Sequence, residues 1–375
     1  MTRLTIILLL IVALGYYLSF LWKVWRGLRR ITGLKNRTTP MVSIVVAARN
    51  EEVNIRQCIL SLTRQSYDLG NFEIIVVDDH SQDRTIALAN ETASGVDRPQ
   101  ITVLSCQGES GPTGKPSAIA LGIERARGEI IFCTDADCVV PKDWITSTIR
   151  CFEESVAFVA GSVTERPIGS FISQIQSLEF LGLMTTGAGL IGSGNPIICN
   201  GANIAFRKSA FREVNGYSEI HNSCDDETLM QRMVRRNVGR VVFNFDPSAT
   251  ITTSTPDTVL GFWNQRTRWA AKRGHYEDKS ILAGLIALYC FFLIVFLSAA
   301  AALLDPILCI PLVVVLAVKL AAESIVLSSG ARVFRQQVSI RHFLIAELLH
   351  VPYIVVAALV GQFSALRWKD RTLEQ

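Results

Sequence analysis

The sequence predicts an α/β domain with a Rossmann-like parallel sheet, joined to transmembrane helices at both ends. Three observations predict this class. Short, strongly apolar runs alternate with helix-like stretches in the middle of the 375-residue chain, long uncharged runs occupy both ends, and acidic residues directly follow two of the short runs. Fully apolar strands between helices are typical of a parallel sheet that is covered on both faces.

The composition favours membrane association and argues against nucleic acid as a partner. Apolar residues make up 49% of the chain and the mean hydropathy is +0.32, with the excess at the two ends. The net charge is only +4, and no basic stripe with interleaved aromatic residues occurs. Nine scattered cysteines without a CxxC pair indicate buried thiols in a reducing compartment, rather than a disulfide framework or a zinc site.

Four runs are long and apolar enough to be predicted as membrane spans. Residues 4–22 are uncharged, and a hydrocarbon core needs roughly 20 such residues. Only Arg3 precedes this run and most basic residues follow it, which favours an uncleaved anchor with its N-terminus outside over a cleaved signal peptide. The other predicted spans are residues 281–304, 306–329 and 343–365.

Charged residues near the last two spans raise two questions. Lys319 and Glu323 lie four residues apart inside the middle span, so we expect them to pair on one helix face. Alternation of the spans places the end of the chain outside. Three basic residues follow the last span and instead favour a C-terminus inside: Arg367, Lys369 and Arg371. Either the last segment is not a full span, or the charge rule fails at this end.

The elements of the middle region follow from the alternation. Strands are predicted at residues 43–48, 73–79, 101–105 and 129–137, with helices at 50–64, 83–94 and 117–126. Right-handed crossovers between such strands give a Rossmann-like nucleotide-binding half. The predicted organisation is an anchor and basic stop at 1–37, an α/β domain at 38–258, an interfacial helix at 259–280 and a C-terminal transmembrane region at 281–375.

Three acidic clusters carry the candidate chemistry, and each also has a structural explanation. Asp79 ends a predicted strand, where it either contacts a ligand or is simply solvated. Asp135 and Asp137 alternate along a predicted extended segment, so both carboxylates face one side and suit Mg²⁺ or Mn²⁺, unless the segment is a polar turn. Asp226 begins a predicted helix, where it serves either as a base or as a helix cap.

A fourth motif precedes the C-terminal spans. Residues 265–269 read Gln-Arg-Thr-Arg-Trp and lie on a predicted amphipathic helix with Phe262 and Trp263 nearby. The structural explanation is an interfacial aromatic belt with snorkelling arginines. Lys115 follows a glycine-rich stretch that lacks the Walker A pattern, and no HxxxH or Gly-x-Ser-x-Gly motif occurs, so zinc proteases and serine hydrolases are not expected.

Taken together, these motifs resemble the membrane-bound family-2 glycosyltransferases with a GT-A-type fold. That family includes cellulose, chitin, hyaluronan and poly-N-acetylglucosamine synthases and the ceramide glucosyltransferases. The resemblance runs from about residue 41 to residue 276, and six motifs carry it in order. They are SIVVAARNEE at 43–52, VVDDHSQDRT at 76–85, GKPSAIALGIERARGEIIFCTDAD at 114–137, CNGANIAFRKSAFREVNGY at 199–217, CDDETLMQRM at 224–233 and QRTRW at 265–269.

The resemblance implies roles for individual residues. Ala48, Arg49, Glu51 and Asp79 would line the base and ribose of the nucleotide, and Lys115 would approach the uracil or the phosphates. Asp135 and Asp137 would be the metal-binding pair, with Asp137 the direct ligand of Mg²⁺ or Mn²⁺. Asp226 would be the general base. Gln265, Arg268 and Trp269 would hold the diphosphate and the acceptor.

The implied activity is inverting transfer of a sugar from a nucleotide-sugar, a UDP-sugar, to a lipid or a growing glycan at the membrane, giving a β-linked polysaccharide or glycoconjugate. The alternatives are a single-transfer glycolipid synthase with a ceramide, diacylglycerol or polyprenyl phosphate acceptor and, more remotely, a non-catalytic scaffold that binds nucleotide-sugar. We expect an integral protein of a bacterial inner membrane, with the catalytic domain in the cytoplasm.

Overall fold

A seven-stranded mixed sheet forms the centre of the domain. The computed structural model describes residues 3–30, 36–106, 114–167, 169–218, 225–256, 258–270, 278–363, 366–368 and 371–373. The strand order in the sheet is β3-β2-β1-β4-β7-β5-β8. The strands are β1 Val42–Ala48, β2 Phe72–Asp78, β3 Gln100–Ser105, β4 Ile130–Asp135, β5 Val156–Gly161, β6 Val163–Arg166, β7 Ile204–Arg207, β8 Arg240–Asn244, β9 Ile251–Ser254, β10 Leu366–Trp368 and β11 Arg371–Leu373.

Helices cover this sheet and extend from it. Those of the α/β domain are α2 Ile55–Leu62, α3 Thr85–Ser94, α4 Lys115–Arg125, α5 Trp144–Ile149, α7 Lys208–Glu213 and α8 Asp225–Arg235. Those that pack together beside the domain are α1 Arg3–Leu28, α6 Phe171–Gly192, α9 Val259–Ala270, α10 Lys279–Ala302, α11 Cys309–Val333 and α12 Ile340–Phe363.

The predicted parallel sheet is confirmed for β1 to β4 and wrong at β7. The strand pairs β1–β2, β2–β3 and β1–β4 are parallel, whereas β7 runs antiparallel to both β4 and β5. Cys133 near the end of β4 faces Ile204 at the start of β7. Because β7 runs in reverse, the residues that precede it lie at the carboxyl end of β4. The exception to the parallel pattern therefore adds the segment before Ile204 to the ligand-binding edge of the sheet.

The helix predicted from residue 50 begins only at Ile55. Asn50 has a φ of 49°, in the left-handed region, which no residue of a right-handed helix adopts. The N–H of Asn50 donates to Ser81 Oγ at 3.0 Å, and the N–H of Glu51 donates to Thr85 Oγ1 at 2.7 Å. The residues after β1 thus form a loop that is fixed by the loop after β2.

Within the described residues, four helices are long and apolar enough to cross a membrane, in the places that the sequence predicts. They cover Arg3–Leu28, Lys279–Ala302, Pro306–Val333 and Ile340–Gly361. The apolar segment before residue 192 forms α6, which packs closely on α1. A Cβ on Gly27 would lie 1.7 Å from the Gly189 carbonyl oxygen, so only glycine fits at this crossing.

Lys319 lies at the centre of a buried polar cluster among these helices. The predicted pair with Glu323 is confirmed, with 2.8 Å between Nζ and Oε1. Helix α12 adds two partners that the sequence did not predict, since Nζ is 2.6 Å from Glu347 Oε2 and 3.2 Å from His350 Nδ1. From α1, Tyr17 Oη donates to Glu323 at 2.5 Å. The cluster joins three of the four apolar helices.

Two short strands follow α12. Strands β10 and β11 pair in antiparallel fashion, and β10 lies against α9. Since α9 also packs along α12, β10 and α12 contact the same helix. The position of β10 is relevant to the side of the membrane on which the C-terminus lies, the question raised by Arg367, Lys369 and Arg371. The side chains of these three residues lie outside the described part of the structure.

Candidate active site

The carboxyl ends of β1, β2 and β4 meet at one edge of the sheet. Ala48 of β1 faces Asp78 of β2, and Ala47 of β1 faces Asp135 of β4. The acidic residues that end β2 and β4 therefore lie on either side of the end of β1, as the alternating sequence predicts. This is the edge at which open α/β sheets bind their ligands.

The loops after β1 and β2 are joined around Asp79. Its N–H donates to the Ala48 carbonyl at 2.8 Å, and its own carbonyl accepts from Arg49 Nη1 at 2.8 Å. The Asp79 side chain is 2% exposed and accepts from the Gly114 N–H at 3.3 Å. Asp79, Ala48 and Arg49 thus form one connected unit with the residue that precedes Lys115.

Glu51 is held at the start of α2. Its carboxylate accepts from Asn54 Nδ2 at 2.8 Å, and its carbonyl accepts from the Ile55 N–H at 2.9 Å. Burial raises the pKa of the Cys58 thiol, and the negative charges of Asp137, Asp135 and Glu51 raise it further. These carboxylates therefore surround one thiol, which stays protonated and is not a nucleophile or a metal ligand at neutral pH.

Asp135 ends β4, and Asp137 lies in the turn that follows rather than in an extended segment. The N–H of Cys138 donates to the Asp135 carbonyl at 3.1 Å, so the predicted alternation along a strand is wrong beyond Asp135, where β4 ends. The turn buries Ala136, exposes Asp137 and leaves the Asp135 side chain 37% exposed. Both carboxylates reach the open edge of the sheet, and they form the hard oxygen donor set that suits Mg²⁺ or Mn²⁺.

Lys115 and Asp226 lie on either side of Gly201, beside Asp135. Lys115 Nζ is 2.6 Å from Asp135 Oδ1. A Cβ built on Gly201 would lie 3.0 Å from Asp226 Oδ2 and 3.2 Å from Lys115 Nζ. A side chain at position 201 would therefore separate the two groups. The antiparallel β7 brings Gly201 to this place, and the sequence alone assigned no role to it.

A tryptophan fixes the turn that contains Gly201. The Trp144 side chain is fully buried, packs edge-on against Phe132 at 5.0 Å, and donates Nε1 to Asn203 Oδ1 at 2.8 Å. Asn203 Nδ2 in turn donates to the carbonyls of Ser162 and Ala249 at 2.8 and 3.0 Å. The backbone beside Asp226 is thus held by the core of the domain.

The two carboxylate oxygens of Asp226 have different surroundings. Asp226 lies in the first turn of α8, and its Oδ1 accepts from the N–H of Glu227 at 2.9 Å, one of the backbone donors of the first turn that have no partner within the helix. Its Oδ2 is the atom directed toward Gly201 and Lys115. One oxygen is therefore used by the helix, and the other faces the edge of the sheet.

The 265–269 motif lies on α9. The contacts described for Gln265 and Trp269 run to Arg266 and to Phe180 of α6, whose ring centre is 6.3 Å from that of Trp269. Arg266 is 4% exposed, so the alternative of snorkelling arginines is wrong for this residue. The side chain of Arg268 lies outside the described part of the structure.

Two carboxylates flank Arg266. Arg266 Nε donates to Glu179 Oε2 at 2.7 Å. Burial raises the pKa of Glu165 to about 7, and the negative charge of Glu179 adds to this shift while the positive charge of Arg266 opposes it. The sequence analysis included Arg266 in the 265–269 motif but gave no role to Glu165 or Glu179. Glu179 interrupts an otherwise apolar segment, and that was the one signal that pointed to it.

Comparison with known families identifies the protein family. The family model described as "Glycosyl transferase family 2" matches residues 43–214, and that of "Glycosyl transferase family group 2" matches residues 130–326. The chain belongs to the family 2 glycosyltransferases. The resemblance inferred from the six motifs is confirmed, and so is the expectation that the chain is a transferase.

Two curated relatives share this family. A poly-beta-1,6-N-acetyl-D-glucosamine synthase of Staphylococcus epidermidis is 27% identical over 239 residues, which cover 62% of this chain and 54% of that protein. A probable glycosyltransferase of Bacillus subtilis, YdaM, is 27% identical over 245 residues, with the same shares. The chain thus spans about half the length of the curated relatives it matches.

A solved structure shows the same fold over the whole chain. It is a mannosyltransferase from Pyrobaculum calidifontis in complex with GDP-Man and Mn²⁺, 19% identical in sequence, with a TM-score of 0.61. The match covers 96% of this chain and 99% of that one. The predicted fold class, a GT-A-type α/β domain together with membrane helices, is confirmed.

Proposed function

We propose that this family 2 glycosyltransferase moves a sugar from a UDP-sugar to a membrane-associated acceptor with inversion, giving a β-linked polysaccharide or glycoconjugate. The observation that carries the proposal is the group formed by Asp135, Lys115 and Asp226 around Gly201, at the ligand-binding edge of the sheet. It combines a carboxylate turn, a cation and a second carboxylate, which are the groups needed to hold a diphosphate and to remove a proton.

The donor would bind at the ends of β1 and β2. Ala48, Arg49, Glu51 and Asp79 would hold the base and the ribose, because hydrogen bonds connect them into one rigid loop pair at the strand ends. Lys115 would hold the diphosphate. Its ammonium group already balances Asp135, so it is placed to balance added phosphate charge as well.

Asp137 and Asp135 would hold Mg²⁺ or Mn²⁺, which stabilises the charge of the departing diphosphate when it is bound. Asp137 is the exposed member of the pair, and Asp135 is the member paired with Lys115. The solved mannosyltransferase of the same fold contains Mn²⁺. The oxygen-only donor set and the open turn support the same class of ion here.

Asp226 would remove the proton from the acceptor hydroxyl as its oxygen attacks the anomeric carbon. Its Oδ2 faces the edge of the sheet, while Oδ1 stays bound to the Glu227 N–H and fixes the carboxylate. A direct displacement with one base inverts the anomeric carbon, so an α-linked donor gives a β-linked product. A positioned base contributes about 10²–10⁴-fold to such a step.

The acceptor would approach from the membrane side. Gln265, Arg268 and Trp269 would hold the diphosphate and the acceptor, and α6 and α9 would lie at the bilayer surface as interfacial helices. The packing of Trp269 on Phe180 supports this, because it joins the motif directly to α6. Trp residues are typical of that interface.

Single transfer to a lipid is the second candidate. The observation that favours it is the small number of membrane helices, since the described part of the chain has four that are long and apolar enough to span. That number leaves little material for a polymer channel within one chain. The named activity of the staphylococcal relative favours the polymer instead.

Labelled transfer distinguishes the two candidates. The protein in nanodiscs is incubated with Mg²⁺ or Mn²⁺, total lipid extract and radiolabelled UDP-glucose, UDP-N-acetylglucosamine or GDP-mannose. We expect label from a UDP-sugar to enter a product that a chelator abolishes. A high-mass ladder supports the polymer, and a discrete chloroform-soluble product supports the lipid candidate. Label that stays in the nucleotide-sugar with every donor and acceptor contradicts the proposed transfer.

We further propose three full spans, with the catalytic domain on the cytoplasmic side. If α12 crossed completely, its 24 residues would carry β10 about 36 Å away from the level at which the helix begins. β10 lies against α9, which also packs along α12, and α12 contains Pro352 near its middle. A last helix that enters the bilayer without crossing it would leave the basic residues before β1, before α12 and after α12 on one side, as the positive-inside rule requires.

Cysteine labelling tests this topology in inside-out and right-side-out vesicles. In a background with Cys290 and Cys309 changed to Ser, Thr372→Cys is expected to react with a membrane-impermeant maleimide from the same side as Val53→Cys. Leu304→Cys is the reference for the opposite side. Val53 and Leu304 are 86% and 90% exposed. Labelling of Thr372→Cys together with Leu304→Cys contradicts the three-span arrangement.

A further inference from the structure

Arg266 lies between two aromatic side chains of its own helix. Its guanidinium carbon is 4.7 Å from the centre of the Phe262 ring and 4.3 Å from the centre of the Trp269 ring. Residues four before and three after a helical residue lie on the same helix face, so the three side chains form one stack. The Arg266 side chain is 3% exposed. Cation–π contacts are strongest when they are shielded from water in this way.

Hydrogen bonds lead from this stack to two other helices. Arg266 Nε donates to Glu179 Oε2 of α6 at 2.7 Å, and Tyr353 Oη of α12 donates to Glu179 Oε1 at 3.0 Å. The Tyr353 ring also stacks on Phe262, with 6.0 Å between the ring centres. Glu179 therefore receives one donor from each neighbour, and α6, α9 and α12 meet at this carboxylate.

The geometry requires a guanidinium group. A planar guanidinium can stack on two rings and donate in its own plane at the same time, whereas an ammonium group cannot do both. Position 266 is also the second residue of the 265–269 motif, outside the three positions to which the resemblance assigns a role. The described contacts of Arg266 thus include the Trp269 ring, the Phe262 ring and the Glu179 carboxylate.

We propose that Arg266 is a positioning residue for the acceptor side of the active site. It fixes the Trp269 ring and the rotation of α9 through Glu179 and Tyr353, and it does not touch the substrate. The inference rests on the proposed function, in which Trp269 holds the acceptor. It also makes the position of α12 in the membrane a determinant of acceptor binding.

Conservative variants test this role through the acceptor KM. Arg266→Lys keeps the charge and loses the stacked hydrogen bond, so the acceptor KM is expected to rise on the order of tenfold while the nucleotide Kd stays unchanged. Glu179→Gln and Tyr353→Phe are expected to shift the KM in the same direction. The double variant with Arg266→Lys and Glu179→Gln is expected to raise the acceptor KM little more than the stronger single variant does. Both substitutions affect the same hydrogen bond between Arg266 and Glu179.

The control is a second arginine–tryptophan pair of the same chain. Arg29 is an exposed residue directly after α1 and outside the motif, and it lies 3.9 Å above the Trp25 ring, so Arg29→Lys is expected to leave the acceptor KM unchanged. If Arg266→Lys raises the acceptor KM but also weakens nucleotide binding by the same factor or lowers Tm, the role of Arg266 is merely structural. That outcome, or a wild-type KM, overturns the proposal.

Hydrogen exchange gives a readout that does not depend on activity. In Arg266→Lys and in Glu179→Gln, amides of residues 259–270 are expected to exchange faster, while those of residues 55–62 keep the wild-type rate. Unchanged exchange in residues 259–270 overturns the positioning role, even if the wild-type protein forms no product. Faster exchange without any transfer activity contradicts the proposed function alone.

Discussion

Replacing Asp226 with Asn is expected to lower turnover by about 10²–10⁴-fold, while the nucleotide Kd changes less than about threefold. Asn keeps an acceptor oxygen for the Glu227 N–H, so the hydrogen bond that Oδ1 accepts is retained. Only the ability of Oδ2 to take a proton beside Gly201 is lost. Steady-state transfer assays and nucleotide titration of the same preparation measure the two quantities.

Two further variants separate the proposed base from the hydrogen bond to Glu227. Asp226→Ala removes both, so we expect the same loss of turnover together with a free energy of unfolding that is lower by about 1 kcal/mol, for the lost hydrogen bond. Glu213→Gln on α7 removes an exposed carboxylate at the surface of the same domain and is expected to behave as wild type. If Asp226→Asn lowers nucleotide affinity and Tm without a selective loss of turnover, Asp226 is a structural residue.

Replacing Lys319 with Met is expected to lower the free energy of unfolding by about 3–5 kcal/mol. Lys319 Nζ lies within 3.2 Å of atoms of Glu323, Glu347 and His350. Without the ammonium group, two carboxylates face each other among apolar helices, where an unpaired charge is costly. Thermal unfolding in detergent or nanodiscs measures the loss.

Compensating changes test whether the loss comes from unpaired charge. The triple variant with Lys319→Met, Glu323→Gln and Glu347→Gln is expected to recover most of the lost stability, because no charge then remains without its partner. Lys279→Met, at the exposed start of α10, is the control and is expected to behave as wild type. Wild-type stability of the single Lys319 variant contradicts this explanation.

The same cluster explains why a metal ion is not proposed among these helices. One ligand atom each from Glu323, Glu347 and His350 lie within 4.8 Å of one another, a spacing that a metal ion could bridge. The ammonium group of Lys319 lies among these atoms and supplies the positive charge that an ion would bring. We therefore interpret the cluster as an ion-pair network that joins α1, α11 and α12.

The sequence predicted those parts of the fold that depend on local pattern. The short apolar runs of β1 to β4 are stable when they are buried in a sheet, and the long apolar runs are stable when they are buried in a bilayer. Strands and apolar helices therefore lie at the positions that the sequence pattern predicts. Acidic residues that end parallel strands must meet at one edge, which is why Asp79 and Asp135 came together as predicted.

What the sequence could not predict depends on contacts between distant segments. The antiparallel direction of β7 is fixed by pairing with both β4 and β5, and it alone brings Gly201 to Lys115 and Asp226. The turn at Asp137 breaks the alternation that the prediction assumed. The partners of Lys319 on α12 and the role of Arg266 arise from helix packing, and no local spacing encodes them.

The anomeric configuration of the product tests the central proposal most directly. In the nanodisc reaction, an α-linked UDP-sugar is supplied, and the new glycosidic linkage is identified by NMR of the isolated product. A single base at Asp226 and direct displacement predict a β-linkage. An α-linked product would require a mechanism that retains configuration, and it would contradict the assignment of Asp226 as the base.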